Sequence, residues 1–368
     1  MVRIGDFEFS LREFAGSLGD FGPLNPFILG YIVILGLNPA GIFLAMGLAN
    51  IIYGLVYKLP LPVEAKKVIG VVALEEKWNS SQIYLSGILT GIVWLLLTFS
   101  KAVRKFAKMV PLVVIRGIQL GLMFILLKES IKFMQTNILL AIVSIALIIL
   151  LINNRFLPSA IAIFCVGLAV IFLSNQEISL KFGLYIPELF IPHYSAITFG
   201  LLIAIVAQIV LTFSNAILAT QLVVKERFPK RKISEENLAK NMGFMNTFFP
   251  FIGGIPMCHG AGGFASQYFF GARTGGSMIM EGVVEIILAL FLAESITSVF
   301  GNFPLSIIGA MLLFASIELG KFVIKVTKKI ELIQEIIIGI VSLLTNLAFG
   351  FLVGLLMYYF TKKISSRF

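Results

Sequence analysis

The sequence reads as an all-α polytopic membrane protein with fourteen transmembrane segments, arranged as two inverted sevens. Three observations lead there. The first is composition: of 368 residues, 58% are hydrophobic and only 13% charged, where a soluble protein carries about 25% charged residues. The second is internal similarity. With a shift of 196, Met46-Gly47-x-x-Asn50 falls on Met242-Gly243-x-x-Asn246, and Leu59-Pro60 falls on Ile255-Pro256. The third is charge: loops after even-numbered segments, together with the tail, hold seventeen of the 29 Lys and Arg. Positive loops stay on the cytoplasmic side. The net charge of +10 therefore points to membrane topology, and nucleic acid is not expected as a partner.

A spanning helix needs about 20 apolar residues. On that measure the segments lie near 14–36, 38–58, 63–75, 81–100, 110–128, 136–153, 157–174, 196–224, 237–255, 260–272, 276–298, 303–320, 331–347 and 349–361. Arg3, Asp6, Glu8, Arg12 and Glu13 precede the first apolar run, so no cleavable signal peptide is expected. Residues 1–175 form the first seven-segment repeat and 196–368 the second. Residues 176–195, with Pro187, Pro192 and a loop histidine, His193, read as an extracytoplasmic connector. An even number of crossings puts both termini in the cytoplasm, and an odd number per repeat inverts the second repeat.

Segments three and ten are too short to span, and they are the two that the repeat matches. Each follows a proline and carries polar residues that do not suit a bilayer. In the first these are Val63-Glu64-Ala65-Lys66-Lys67; in the second, Cys258-His259-Gly260-Ala261-Gly262-Gly263. Irregular backbone at membrane depth is tolerated only where protein or water covers it. Paired interruptions in two halves point to a transporter's site. Both segments are expected to be half-helices. A helix N-terminus presents free N–H groups and the positive end of its dipole, so two such ends facing each other would hold a small dianion. Glycines 260, 262 and 263 would let it approach the backbone.

Other candidates lie beside these ends. Asp20 and Asn25 are polar groups inside the first segment, and an ionisable residue within a span is a functional candidate because its burial is costly. Ser214 and Asn215 match Gly19 and Asp20 with a shift of 195. His259 could donate a hydrogen bond or carry a proton. An ionised Glu64 would repel an anion; a protonated one could donate to it and couple anion binding to a proton. Lys66 or Lys67 could instead neutralise it. Gln267 and Arg273 close the second motif as a gate or structural lock. The two cysteines, Cys165 and Cys258, have no metal-ligand spacing, and neither a disulfide, a metal nor a cofactor is expected.

Pro256-Met257-Cys258-His259-Gly260-Ala261-Gly262-Gly263-Phe264-Ala265-Ser266-Gln267-Tyr268, followed by Phe270-Gly271-Ala272-Arg273-Thr274-Gly275, resembles the signature of the molybdate transporter family within the sulfate permease clan. Gly16-Ser17-Leu18-Gly19-Asp20, Pro60-Leu61-Pro62-Val63-Glu64-Ala65-Lys66-Lys67 and Leu211-Thr212-Phe213-Ser214-Asn215-Ala216 resemble three further motifs of that family. The chain departs from the second of these at Glu64, where the family's motif has glutamine. The resemblance implies a UraA/SLC26-like fold whose core and gate domains each draw on both repeats. It implies uptake of molybdate, with sulfate or tungstate as alternatives, and no cytoplasmic regulatory (STAS) domain. The expected location is a prokaryotic plasma membrane, among lipids, with a homodimer left open.

Three rival readings compete with this one. A proton-coupled nucleobase permease would want a carboxylate in the middle of segment eight or ten, and neither has one. An anion-responsive membrane motor or channel is the rival from a different class, and net uptake beyond electrochemical equilibrium would separate a transporter from it. An intramembrane enzyme lacks support: neither His-Glu-x-x-His nor Gly-x-Ser-x-Gly occurs.

Overall fold

A computed structural model describes residues 2–20, 27–28, 30–151, 154, 157–174, 180–187, 189–191, 193–320 and 329–365. Asn25 lies outside the described residues. The chain is mostly helical, and among the described residues four short strands form two two-stranded sheets.

The N-terminus makes a hairpin that the sequence reading does not anticipate, β1 (Val2–Ile4) with β2 (Phe7–Phe9). Gly5 supplies its turn with a φ of +58°. Helix α1 (Leu11–Ser17) follows, capped by Ser10, and runs into a 3₁₀ turn, Leu18–Asp20. Helix α2 (Pro39–Tyr57) starts where Asn38 accepts from the Ala40 N–H at 2.9 Å, with Pro39 in the first turn, and stops at a left-handed Lys58. Strand β3 (Val63–Ala65), helix α3 (Lys67–Glu75), α4 (Ser80–Phe99), a short α5 (Ala102–Ala107), α6 (Leu112–Met134), α7 (Ile138–Leu151) and α8 (Ser159–Leu173) complete the first half.

The second half opens with α9 (Phe199–Leu211), which loosens into π-helical turns over Thr212–Ala219 before α10 (Thr220–Arg227). Then come α11 (Glu235–Phe248), β4 (Met257–His259), α12 (Ala261–Phe270), α13 (Gly276–Phe291), α14 (Ala293–Gly301), α15 (Leu305–Gly320), α16 (Lys329–Leu344) and α17 (Leu347–Ser365).

The packing interleaves the halves. Helix α2 lies along α13, and α4 along α11; separately, α6 lies along α15 and α16. Gly47 and Gly282 set the first contact, since a Cβ on Gly47 would come within 2.7 Å of the Gly282 carbonyl oxygen. Among the described residues, three helices are long and apolar enough to cross a membrane: Pro39–Tyr57, Ser80–Phe99 and Phe199–Arg227. The outer surface is apolar, with Leu150 at 78%, Leu173 at 81% and Phe199 at 79% exposure. Such side chains suit lipid rather than water. Both cysteines are free, Cys165 exposed and Cys258 buried. In the connector, His193 is exposed and the Tyr185 N–H donates to the Leu290 carbonyl at 2.8 Å.

Candidate functional site

The two interrupted segments meet. Strands β3 and β4 pair antiparallel, with Val63 opposite His259, Glu64 opposite Cys258 and Ala65 opposite Met257. The Lys66 N–H extends the pairing by donating to the Pro256 carbonyl at 2.8 Å. All six strand residues are buried. A pair of strands this short satisfies backbone groups that a bilayer cannot.

The repeat explains how each strand is held. Asn50 and Asn246, the matched asparagines, are fully buried on α2 and α11. Asn50 Oδ1 accepts from the Val63 N–H at 2.9 Å, and Asn246 Oδ1 accepts from the Met257 N–H at 2.8 Å.

The two helix ends differ. The sequence reading treats both as open. Gln208, on α9, reaches the end of α3: its Oε1 accepts from the Val68 N–H at 2.9 Å and the Ile69 N–H at 3.3 Å. This amide fills the place of an N-cap. The end of α12 has no such cap; Gly260 is its N-cap residue, and no side chain bonds there. Among the described residues no side chain accepts from the first-turn N–H groups of this second end, which leaves them available to a ligand.

Two carboxylates lie against the first turn of α12. A Cβ on Gly260 would come within 2.6 Å of Glu64 Oε2, and one on Gly263 would overlap Glu64 Oε1 and lie 2.6 Å from Asp20 Oδ1. Asp20 is fully buried and Glu64 is 2% exposed. Their oxygens accept no hydrogen bond from the described residues. The charge beside Glu64 comes from Lys67 Nζ at 3.6 Å. Lys66 does not share this role: it is wholly buried, and its Nζ has no hydrogen-bond partner among the described residues.

Gly262 faces elsewhere, with Leu126 and Leu122 of α6 at 3.6 and 3.8 Å from a built Cβ. Ala261 and Ala65 are buried. His259 Nδ1 sits 3.1 Å from the Pro62 carbonyl, which can only accept, so Nδ1 carries a proton. Its ring packs edge-on against Tyr53 and Tyr57, with centroids 5.4 and 5.1 Å away. Ser214 spends its hydroxyl on the Val210 and Leu211 carbonyls, whereas Asn215 Oδ1 is buried without a partner among the described residues. The π-helical stretch that carries them packs on β4, α12 and α6.

Gln267 and Arg273 sit at the other end of α12. Gln267 Nε2 donates to Glu281 at 2.5 Å, and its Oε1 accepts from Ser277 at 3.0 Å. The Arg273 guanidinium lies 3.8 Å over the Tyr268 ring and donates to the Tyr268 and Ala272 carbonyls at 2.6 and 2.7 Å. Glu13 receives the Arg273 and Thr274 backbone N–H groups at 2.8 and 3.0 Å. Beneath them the hairpin is anchored by Asp6, which binds Lys58 at 2.6 Å and Arg231 at 3.0 Å. The Lys58 hydrogen bond, followed by that of Arg231, holds the Asp6 carboxyl below the usual carboxylate range.

Sequence reasoning names Asn50 and Asn246 only as repeat-matched residues and Gln208 only as a polar group of the eighth segment. Their roles in holding the strands and covering the end of α3 appear only in the fold.

The model of a family described as "Molybdate transporter of MFS superfamily" matches residues 12–126 and 200–319, which take in every element of the site. The chain belongs to this molybdate transporter family. Among the family's relatives, Molybdate transporter 1 of Arabidopsis thaliana is 28% identical over 402 residues, covering 96% of this chain and 88% of that one. Molybdate transporter 2 of the same plant is 30% identical over 411 residues, covering 95% and 87%. Two solved structures share the fold. The transmembrane domain of the cyanobacterial bicarbonate transporter BicA has a TM-score of 0.61 at 15% identity, covering 91% of this chain and 96% of that one. Murine Slc26a9, an anion transporter in its inward-facing state, has a TM-score of 0.67 at 13% identity, covering 99% and 70%. The family member described here is thus an integral membrane protein with the SLC26 and BicA fold.

Proposed function

We propose that this chain is a secondary active transporter of a tetrahedral oxyanion, molybdate first, with sulfate or tungstate as the nearest alternatives. Family membership supports the substrate class. The observation that carries the site is the uncapped N-terminus of α12, held against Glu64 and Asp20 by the β3–β4 pair. The anion lies over Gly260, Ala261, Gly262 and Gly263, accepting from backbone N–H groups where the helix dipole favours negative charge. Because Gln208 occupies the end of α3, that segment contributes through Glu64 and Lys67. Val63 and Ala65 hold the strand beside the anion, Asn215 closes the site from the π-helical turns, and His259 props the strand pair from below.

In this reading the fourteen segments span the membrane as two inverted sevens, with β3–α3 and β4–α12 as the half-helices and both termini cytoplasmic. The bundle around α2, α4, α11 and α13 is the core, and the bundle of α6, α15 and α16 is the gate. Gly262 marks their contact at the site, since it faces α6.

Glu64 gives a route to proton coupling, with its ion pair to Lys67 at 3.6 Å as the competing way to neutralise it. An ionised carboxylate offers an oxyanion no donor and repels it by roughly 4 kcal/mol at 4 Å and an effective dielectric near 20. A proton arriving with the anion removes that repulsion and adds a donor.

The test is uptake of molybdate into liposomes carrying the purified protein, under an imposed proton gradient. Accumulation beyond electrochemical equilibrium is expected, with sulfate and tungstate as competitors. Flux that stops at equilibrium would make the protein a channel; no molybdate flux at all would remove the substrate assignment.

A further inference from the structure

The matched asparagines are bonded differently, and the difference points to a residue outside the site. Asn246 uses its Nδ2 within its own repeat, donating to the Met242 and Met257 carbonyls at 2.7 and 2.6 Å. Asn50 sends its Nδ2 across to α13, where Glu285 Oε2 accepts at 2.8 Å. Both groups are buried, Asn50 fully and Glu285 at 5% exposure. The crossing is possible because Gly47 and Gly282, one turn before Asn50 and Glu285, let the two helix backbones touch.

An asparagine amide can flip, exchanging donor and acceptor. In the second repeat, the two carbonyls that receive Nδ2 fix the orientation of Asn246. In the first repeat the acceptor is Glu285. Its Oε2 accepts from the Nδ2 end and so adds to the Val63 N–H in holding Oδ1 towards that strand. Val63 precedes Glu64, the residue whose carboxylate rests on Gly260 and Gly263. The chain of contacts therefore runs from α13 through α2 to β3 and ends at the site.

We propose that Glu285 is a positioning residue for oxyanion binding: through Asn50 it sets the placement of β3 and so of Glu64. It does not touch the substrate. The inference rests on the oxyanion reading given above and adds to it a residue on a different helix, together with the reason the repeat is asymmetric there.

The experiment is an exchange of donor and acceptor, read by equilibrium binding of labelled molybdate to purified protein and by thermal unfolding. Asn50→Asp keeps an acceptor for the Val63 N–H but sets two carboxyl groups against each other; affinity should fall about tenfold or more, a tenfold change being about 1.4 kcal/mol. Glu285→Gln alone should cost a few-fold, because its amide can still accept from Asn50. The double variant restores the complement, with Gln at 285 donating to Asp at 50, so its affinity should return to within about threefold of the parent; such coupling is the signature of contacting residues. Asn246→Asp sets a carboxylate against two carbonyls and should not be rescued by Glu285→Gln. Recovery in the double variant at position 50, absent at 246, supports the proposal. A double variant no better than Asn50→Asp, or equal rescue at both positions, overturns it. If the parent protein binds no molybdate, the oxyanion reading has failed, and the exchange is then judged from loss and recovery of the melting temperature.

Discussion

Adding one methyl group at Gly263 separates the carboxylate-lined helix end from its surroundings. A Cβ there would overlap Glu64 Oε1, stand 2.6 Å from Asp20 Oδ1 and lie 2.9 Å from the Pro62 ring. Two of those three atoms are side-chain tips, so the overpacking cost should fall near the low end of about 1–3 kcal/mol. Replacing glycine in a helix returns up to about 1 kcal/mol. Stability should therefore change by no more than about 1 kcal/mol, or a few degrees in melting temperature. Binding should respond far more. The displaced carboxyl groups move into the space over the α12 amides, where a full charge pair at 4 Å costs about 4 kcal/mol at a dielectric near 20. A third of that already weakens affinity tenfold. Gly262→Ala is the comparison, because its Cβ would make only ordinary contacts with Leu126 and Leu122; leucine at 262 would instead press on α6. Calorimetric titration with molybdate should show Gly263→Ala losing at least about tenfold more affinity than Gly262→Ala. Equal affinities in two folded variants would refute the placement of the anion at this turn.

Three further outcomes are expected. Glu64→Gln removes the negative charge and keeps a donor, so it should keep or strengthen molybdate binding; a loss of about tenfold or more in a folded variant would end the coupling role. Gln208→Leu leaves the Val68 and Ile69 N–H groups buried without their acceptor, at a cost of about 1–3 kcal/mol each way the turn relaxes, and thermal unfolding of that variant at the parent's temperature would show the cap to be dispensable. Cysteines placed at the exposed Lys105 and Lys230 should react with an impermeant thiol reagent only from the cytoplasmic side, and labelling of either in intact cells would overturn the assigned topology.

The sequence by itself carried whatever depends on local composition and periodicity. Apolar runs marked the helices, Pro60 and Pro256 marked the interruptions, and the 196-residue shift tied Asn50 to Asn246 and one interruption to the other. A bilayer allows few solutions for such segments, so these patterns translate directly into architecture. What they could not reveal is which residues of distant segments meet. Nothing near Gln208 shows that it caps α3 from 140 positions away, so the two helix ends look equivalent in sequence, although among the described residues a distant side chain covers the first and none covers the second. Of two adjacent lysines, Lys67 reaches Glu64 while Lys66 is buried apart; direction along a strand-to-helix junction decides that. The π-helical turns at Thr212–Ala219 and the Asn50–Glu285 bond arise from how whole helices pack. Donor–acceptor choice across a buried contact is set by geometry, and geometry exists only once both repeats have folded around each other.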